Sequence, residues 1–374
     1  MPPSATPQIL LSPAELSYLH SSLSLSPPIR SDGRTATQFR PLVAETGILS
    51  GTNGSARICF ADGSEAIVGV KAEIEKCLPM EPNGTVQDID IEKLSLINTT
   101  NTRRKKNAKW NLWVEVDVEL PGYRDDDAMP VLLASILTEA LLADGQQPAG
   151  LHINRRFHWK LYLDVRSRNS GQILLLSQPL SYPLPLLSLA SHLALLSTRL
   201  PRLKSEEDDD PLFDDDWDAA TYLYPRNDRD FIRPPVTLLV MAVKDNIIFD
   251  PSREELAVAE VVLAISIGIA DNEQEKSQVD STRSLKLLSV RTIDPPSRLA
   301  FPGVPNALNA ATRGSSTVLE DAASHSKFYE EEGVWQPPRG GAKRKLIAAM
   351  IRQALATGGV ADEVLDGLEL VELN

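Results

Sequence analysis

Residues 13–25 form a short amphipathic stretch, and Ser12 before Pro13 reads as an N-cap with proline in the first helical turn. From 39 to 119 the pattern turns strand-like. Asn53-Gly54 is a turn signal between two extended runs. Residues 55–60 and 65–73 alternate apolar and polar positions on either side of Asp62-Gly63. Trp110, Leu112, Val114, Val116 and Val118 repeat the alternation on one face, after an irregular polar insert. Residues 129–142 predict a helix that is apolar almost all round and therefore buried on most sides. Paired strands are expected at 149–157 and 159–165, a short strand at 173–176, and a second long apolar helix at 184–200.

The theme then recurs in shorter form. Strands are expected at 236–243 and 247–249, joined by Asp245-Asn246, with a helix at 253–260 and strands at 261–269 and 285–293. Residues 295–339 read mostly as loop, and 343–357 as a helix stopped by Gly358-Gly359. This succession predicts an α/β (α+β) class of two βαβ-type lobes, with mixed sheets packed on helices. The expected organisation is an arm at 1–30 with a short helix on a loose tether, a first lobe at 31–204, an acidic loop at 205–232, and a second lobe at 233–374. The two apolar helices lack a polar face with which to end a free-standing domain, so both lobes should share one body.

Composition adds exclusions. With 42% hydrophobic and 24% charged residues the chain reads as an ordinary soluble globular protein. Pro (27) outnumbers Gly (20), so part of the 374 residues is expected in loops. A net charge of −13 argues against a free-standing nucleic-acid binder, though not against one local basic face. Cys59 and Cys77 form no CxxC pair and the five histidines no HExxH spacing, so neither a metal site nor a cofactor is implied, and a reducing, intracellular setting is expected. The apolar stretch at 180–200 is broken by Pro183, Pro185, Ser188, Ser191, His192 and Ser197, so no membrane span is expected. The N-terminal residues carry no secretory pattern.

Ser31-Asp32-Gly33-Arg34, Phe39-Arg40-Pro41 and Glu45-Thr46-Gly47, in that order, resemble the opening of the ribonuclease PH family. Asn53-Gly54-Ser55-Ala56-Arg57 and Gly69-Val70-Lys71-Ala72-Glu73 are similar to its RNA exosome ring subunits. Asp250-Pro251-Ser252-Arg253-Glu254-Glu255 matches the strand-to-helix turn of the family's second lobe. The resemblance covers most of residues 31–293. It implies a ribonuclease PH-like fold and a ring of six such folds with cap proteins and attached nucleases. RNA would thread the channel, in the nucleus, nucleolus and cytoplasm. Active members degrade RNA by phosphorolysis, in which inorganic phosphate attacks the terminal phosphodiester.

That chemistry needs backbone N–H donors around a phosphate, arginines to hold the anions, and carboxylates for a metal or a proton. The resemblance puts the phosphate loop at 177–185, Ser-Gln-Pro-Leu-Ser-Tyr-Pro-Leu-Pro, which has no glycine and three prolines that remove donors. Active members carry arginines along the first long helix; 129–142 has none. Two of three requirements are missing, so the chain reads as a non-catalytic ring subunit. The alternatives are an active phosphate-dependent 3′-to-5′ exoribonuclease and a stand-alone binding module. Asp250 reads as the residue that closes the turn before the 253–260 helix.

Candidate RNA contacts are Arg103, Arg104, Lys105 and Lys106, the densest basic cluster, together with Arg155 and Arg156 on a strand; the blander reading of both is solvated surface. The acidic run at 206–218 embeds Phe213 and Trp217, which read either as partner-docking anchors or as part of a solvated loop. Finally, Arg166-Ser167-Arg168-Asn169-Ser170-Gly171-Gln172 interrupts an otherwise apolar strand. A buried strand would leave these charges unpaired, so the segment should leave the sheet and the strand should resume near Ile173.

Overall fold

The computed structural model describes residues 11–77, 113–124, 126–143, 149–163, 173–175, 181–205, 209–226, 233–270, 284–293 and 342–373. A first sheet runs in the order β1 (Leu42–Thr46), β2 (Gly54–Phe60), β3 (Glu65–Lys76), β5 (Phe157–Leu163), β4 (Val114–Val116), with β6 (Ile173–Leu175) also on β3. Only β4 and β5 are parallel; the other pairs are antiparallel, so the sheet is mixed. A two-stranded ribbon, β7 (Arg199–Leu200) with β8 (Thr221–Tyr222), lies beside it. The second sheet is β10 (Asn246–Phe249), β9 (Val236–Val243), β11 (Val261–Ile269), β12 (Leu285–Ile293), all antiparallel.

Two helices lie between the sheets. α2 (Ala128–Ala143) packs against β4, β9 and β12, and α3 (Leu184–Ser197) against β2 and β3 on one side and β9 on the other. All fourteen residues of α3 are buried. That explains a helix without an apolar stripe: with a sheet on either side there is no water for a polar face to meet. Ser188, Ser191, His192 and Ser197 are its buried polar residues. Ser188 Oγ accepts from Thr237 N, Ser197 Oγ donates to Ser55 O, and His192 Nδ1 donates to Pro234 O at 2.8 Å.

α1 (Pro13–Leu23) carries the expected cap: Ser12 Oγ accepts from Glu15 N, and the Glu15 carboxylate accepts from Ser12 N. It is not on a loose tether. Leu16 and Leu23 are buried, and Asn246 Nδ2 donates to Leu23 O and Leu25 O, tying the helix end to β10. α4 (Arg253–Leu256) is one turn, shorter than the expected 253–260, because the chain folds into tight turns from Ala257 and enters β11 at Val261. α5 (Arg344–Ala354) is followed, past Gly358 at φ +63, by α6 (Val360–Glu369), a helix the sequence reading missed. Its Val360, Ala361, Leu365 and Leu368 are buried.

Several turns differ from expectation. Asn53-Gly54 is a packing junction, not a hairpin turn. Asn53 N donates to Val70 O, Asn53 Oδ1 accepts from Ala72 N, and Arg199 N donates to Asn53 O. A Cβ at Gly54 would sit 2.6 Å from the Thr198 backbone, so glycine is required by close approach of two chain segments. The β9–β10 turn is Lys244-Asp245, one residue earlier than expected, with Lys244 at φ 52. Where the sequence predicts a strand at 149–157, residues 149–156 form a 3-10 turn (Ala149–Leu151) and a single bridge from His152 to His158, and Phe157 already belongs to β5.

The register across β3 locates the polar interruption. Lys71 faces Tyr162 in β5, and Val68 faces Ile173 in β6. Unbroken continuation of β5 would place Val165 opposite Val68; Ile173 stands there instead, eight positions further along the chain. β5 and β6 are therefore two halves of one strand. Residues 164–172, between them, lie outside the described residues.

Candidate functional site

The two sheets are joined by a buried knot of arginines and carboxylates beside the N-terminus of α3. Asp250 lies at its centre, fully buried, at φ 46. Its Oδ2 accepts from Arg34 Nη1 at 2.8 Å, Arg40 Nε at 2.9 Å and Arg40 N at 3.1 Å, and its Oδ1 accepts from Arg40 Nη2 at 2.6 Å. Its backbone oxygen accepts from Arg30 Nη2 and Arg34 Nη2. The turn-closing role expected of Asp250 belongs instead to Ser252, whose Oγ accepts from Glu255 N while Glu255 Oε2 accepts from Ser252 N. Glu255 also takes Arg30 in a two-pronged pair, both contacts at 2.8 Å.

Outer members complete the balance. Asp32 accepts from Arg34 Nε at 2.6 Å, and Asp62 accepts from Arg40 Nη1 at 2.5 Å. Burial would raise the Asp32 carboxyl, but hydrogen bonds from Arg34 and the charges of Arg30 and Arg34 hold it below the usual range. Desolvation works against the charged form of Arg40, yet Asp250 and Asp62 hold it above the ordinary arginine value. Charged hydrogen bonds of this geometry are strong, and each group leaves few polar atoms unmet. Asp32, Arg34, Arg40, Asp250 and Glu255, the charged residues that three of the resemblance motifs contribute here, are thus consumed in holding the lobes together.

Arg40 Nη1 also donates to Ser181 Oγ, and Ser181 bridges to Ser252, so the knot abuts the loop expected to cradle phosphate. Residues 176–180 of that loop lie outside the described residues. The described part enters α3 through Pro183 as N-cap, with no side-chain cap and with Pro185 in the first turn. Tyr182 has a buried hydroxyl with no hydrogen-bond partner among the described residues, and burial pushes its pKa up to about 12. No group of metal-ligating side chains occurs among the described residues, and none of their helices is long and apolar enough to cross a membrane.

The candidate surface residues are scattered. Arg103, Arg104, Lys105 and Lys106 lie outside the described residues. Arg155 and Arg156 are exposed just before β5; Arg156 Nη2 is 3.2 Å from Asp210, and its guanidinium sits over the Phe157 ring. Phe213 packs on the body of the protein, its ring 4.9 Å from that of Trp159. The acidic strip is further fastened by Lys204 to Asp214 at 2.8 Å and by Asn154 Nδ2 to Asp209 O. Trp217 points elsewhere: it is 46% exposed and lines a groove together with Arg199. Sequence reasoning passed over Arg199, an isolated basic residue after a helix, because nothing local marks its surroundings.

Comparison with known proteins finds relatives along most of the chain. The sequence profile of the 3′ exoribonuclease family, domain 1, matches residues 38–201. The exosome complex component RRP42 of Saccharomyces cerevisiae is 33% identical over 261 residues, which is 68% of this chain and 81% of that protein. The exosome complex component rrp42 of Schizosaccharomyces pombe is 31% identical over 271 residues, 69% of this chain and 78% of that protein. Among solved structures, a chain of the Archaeoglobus fulgidus exosome with RNA bound to the active site is 20% identical, with 75% of this chain and 87% of that one covered at a TM-score of 0.48. The long match to the two yeast proteins and the matching profile lead to one assignment: this chain belongs to the ribonuclease PH family of 3′ exoribonucleases.

Proposed function

We propose that the chain is a non-catalytic ring subunit of an RNA exosome, which scaffolds a channel for 3′-to-5′ RNA processing and decay, ribosomal RNA maturation and mRNA turnover included. Its relatives in both yeasts carry the name exosome complex component. In this reading its partners are other ribonuclease PH-like subunits, cap proteins and attached nucleases, in the nucleus, nucleolus and cytoplasm. The arm at 1–30, the lobes at 31–204 and 233–374 and the acidic loop at 205–232 are its working parts. Arg103 to Lys106, with Arg155 and Arg156, serve as secondary RNA contacts; of the docking pair Phe213 and Trp217, Phe213 seats the acidic strip on the protein's own body and Trp217 is the exposed ring that meets a ligand from outside.

The observation that carries the non-catalytic reading is the charge state of the knot. Arg30, Arg34 and Arg40 are already committed to Asp250, Glu255, Asp32 and Asp62 at salt-bridge distance. A guanidinium held by a buried carboxylate has little left to offer an attacking phosphate. The prolines before α3 and the absence of arginine on α2 add to this. The test is release of nucleoside diphosphates from RNA in the presence of inorganic phosphate, by the purified chain alone and paired with a neighbouring ring subunit. No phosphate-dependent release is expected; release that requires residues of this chain would reverse the reading. Purification from cells should give a complex of ring size, and a free monomer would count against the scaffold role.

A further inference from the structure

The loop between β1 and β2 and the segment after α3 enclose a groove of about 500 Å³. Its lining includes Ser50, Gly51, Thr52, Ser197, Arg199 and Trp217, and Arg199 is the sole charged residue in it. No carboxylate among the described residues pairs with Arg199. The side chain is nonetheless fixed: its guanidinium lies 4.6 Å from the centroid of the Tyr222 ring and donates through Nη2 to the Tyr222 hydroxyl. Its Nε is buried without a hydrogen-bond partner among the described residues. In a chain with net charge −13 this is a held, uncompensated cation.

Two further features share the groove. The N–H groups of Ser50 and Gly51 donate to no described residue, in a loop turned by Gly51 at φ +92, a conformation that glycine adopts without strain. Trp217 contributes a 46% exposed indole on which no ring of the described residues stacks.

We propose that this groove is a nucleotide subsite, with a phosphate on Arg199 and the loop N–H groups and a base stacked on Trp217. A planar guanidinium with adjacent backbone donors suits phosphate oxygens. An exposed indole accepts any base through its π-face. The volume lies in the range of small-ligand sites. Asp215, Asp216 and Asp218 are exposed beside Trp217 but do not line the groove. They repel a strand running past the indole, so the site holds one nucleotide, either free or at the end of an RNA chain.

The full chain is titrated by calorimetry with adenosine monophosphate and, separately, with a six-nucleotide oligoadenylate. Binding of the mononucleotide marks a free-nucleotide site, binding of the oligomer alone marks a strand end, and either supports the proposal. Trp217→Ala, at an exposed position, should weaken binding about tenfold, and Arg199→Ala about tenfold or more. The tryptophan variant decides the question if Arg199→Ala fails to fold. Arg124→Ala, at an exposed arginine outside the groove lining, should leave mononucleotide binding unchanged, which shows that a loss at Arg199 is not a general charge effect. Absence of binding by both probes at millimolar concentration overturns the proposal, as does unchanged binding by Trp217→Ala. Crosslinking that finds a partner protein filling the groove in the assembled complex, with the mononucleotide excluded, also overturns it.

Discussion

The Asp250 carboxylate grips the Arg40 guanidinium from both oxygens, at 2.6 and 2.9 Å, across 210 positions of sequence. This pair is buried, and Arg34 leans on the same carboxylate. Asp250→Asn keeps the left-handed backbone, which asparagine tolerates, and removes only the charge. It should cost about 3–5 kcal/mol, because it strands buried guanidinium charge. Urea denaturation would measure this; a loss under about 1 kcal/mol would mean that water reaches the knot.

The eight-position offset between β5 and β6 against β3 predicts the outcome of a deletion. Removing residues 165–172 should bring Ile173 directly into register opposite Val68. The shortened chain should fold with unchanged sheet content and stability within about 1 kcal/mol, since loop closure depends only weakly on length. Circular dichroism and a thermal melt test this. Failure of ring assembly in a well-folded deletion variant would assign the segment a role in contacts between subunits.

Phe213 and Trp217 should separate cleanly on mutation. Phe213→Ala removes the contact with Trp159 and should loosen the acidic strip by about 1 kcal/mol, seen as faster amide exchange at residues 209–214. Trp217→Ala should leave global stability within about 0.5 kcal/mol, because the ring is exposed. Equal effects of both on unfolding would place Trp217 in the fold rather than in the groove.

His192 makes the fold acid-sensitive. Burial lowers its pKa from 6.5 to about 4, so it stays neutral in the folded chain while the unfolded chain takes up a proton. Between those values the unfolded state binds more protons, so stability falls as pH falls, starting near 6.5 and complete near 4. The total is about 3 kcal/mol. His192→Gln should flatten the dependence of the urea midpoint over this window. An unchanged slope would assign it to other groups.

The periodicities in the sequence determined most of the elements. The strand runs read at 236–243, 261–269 and 285–293 coincide with β9, β11 and β12, and the long apolar helix read at 184–200 corresponds to α3, which is buried throughout and ends at Ser197, before β7. Residue order in the motifs was enough to suggest the family. These features are local, or depend on burial that any compact fold must provide. Tertiary structure decided what no window of sequence contains. Asp250 looks like a turn residue until Arg34 and Arg40 arrive from another part of the chain. Gly54 looks like a turn signal until the Thr198 backbone is found against it. Phe213 and Trp217 stand four positions apart in one acidic strip, yet one packs on Trp159 and the other opens onto Arg199. Charge partners and close approaches are set by how distant segments meet, and the pattern of polar and apolar positions within a segment does not encode which partner it will find.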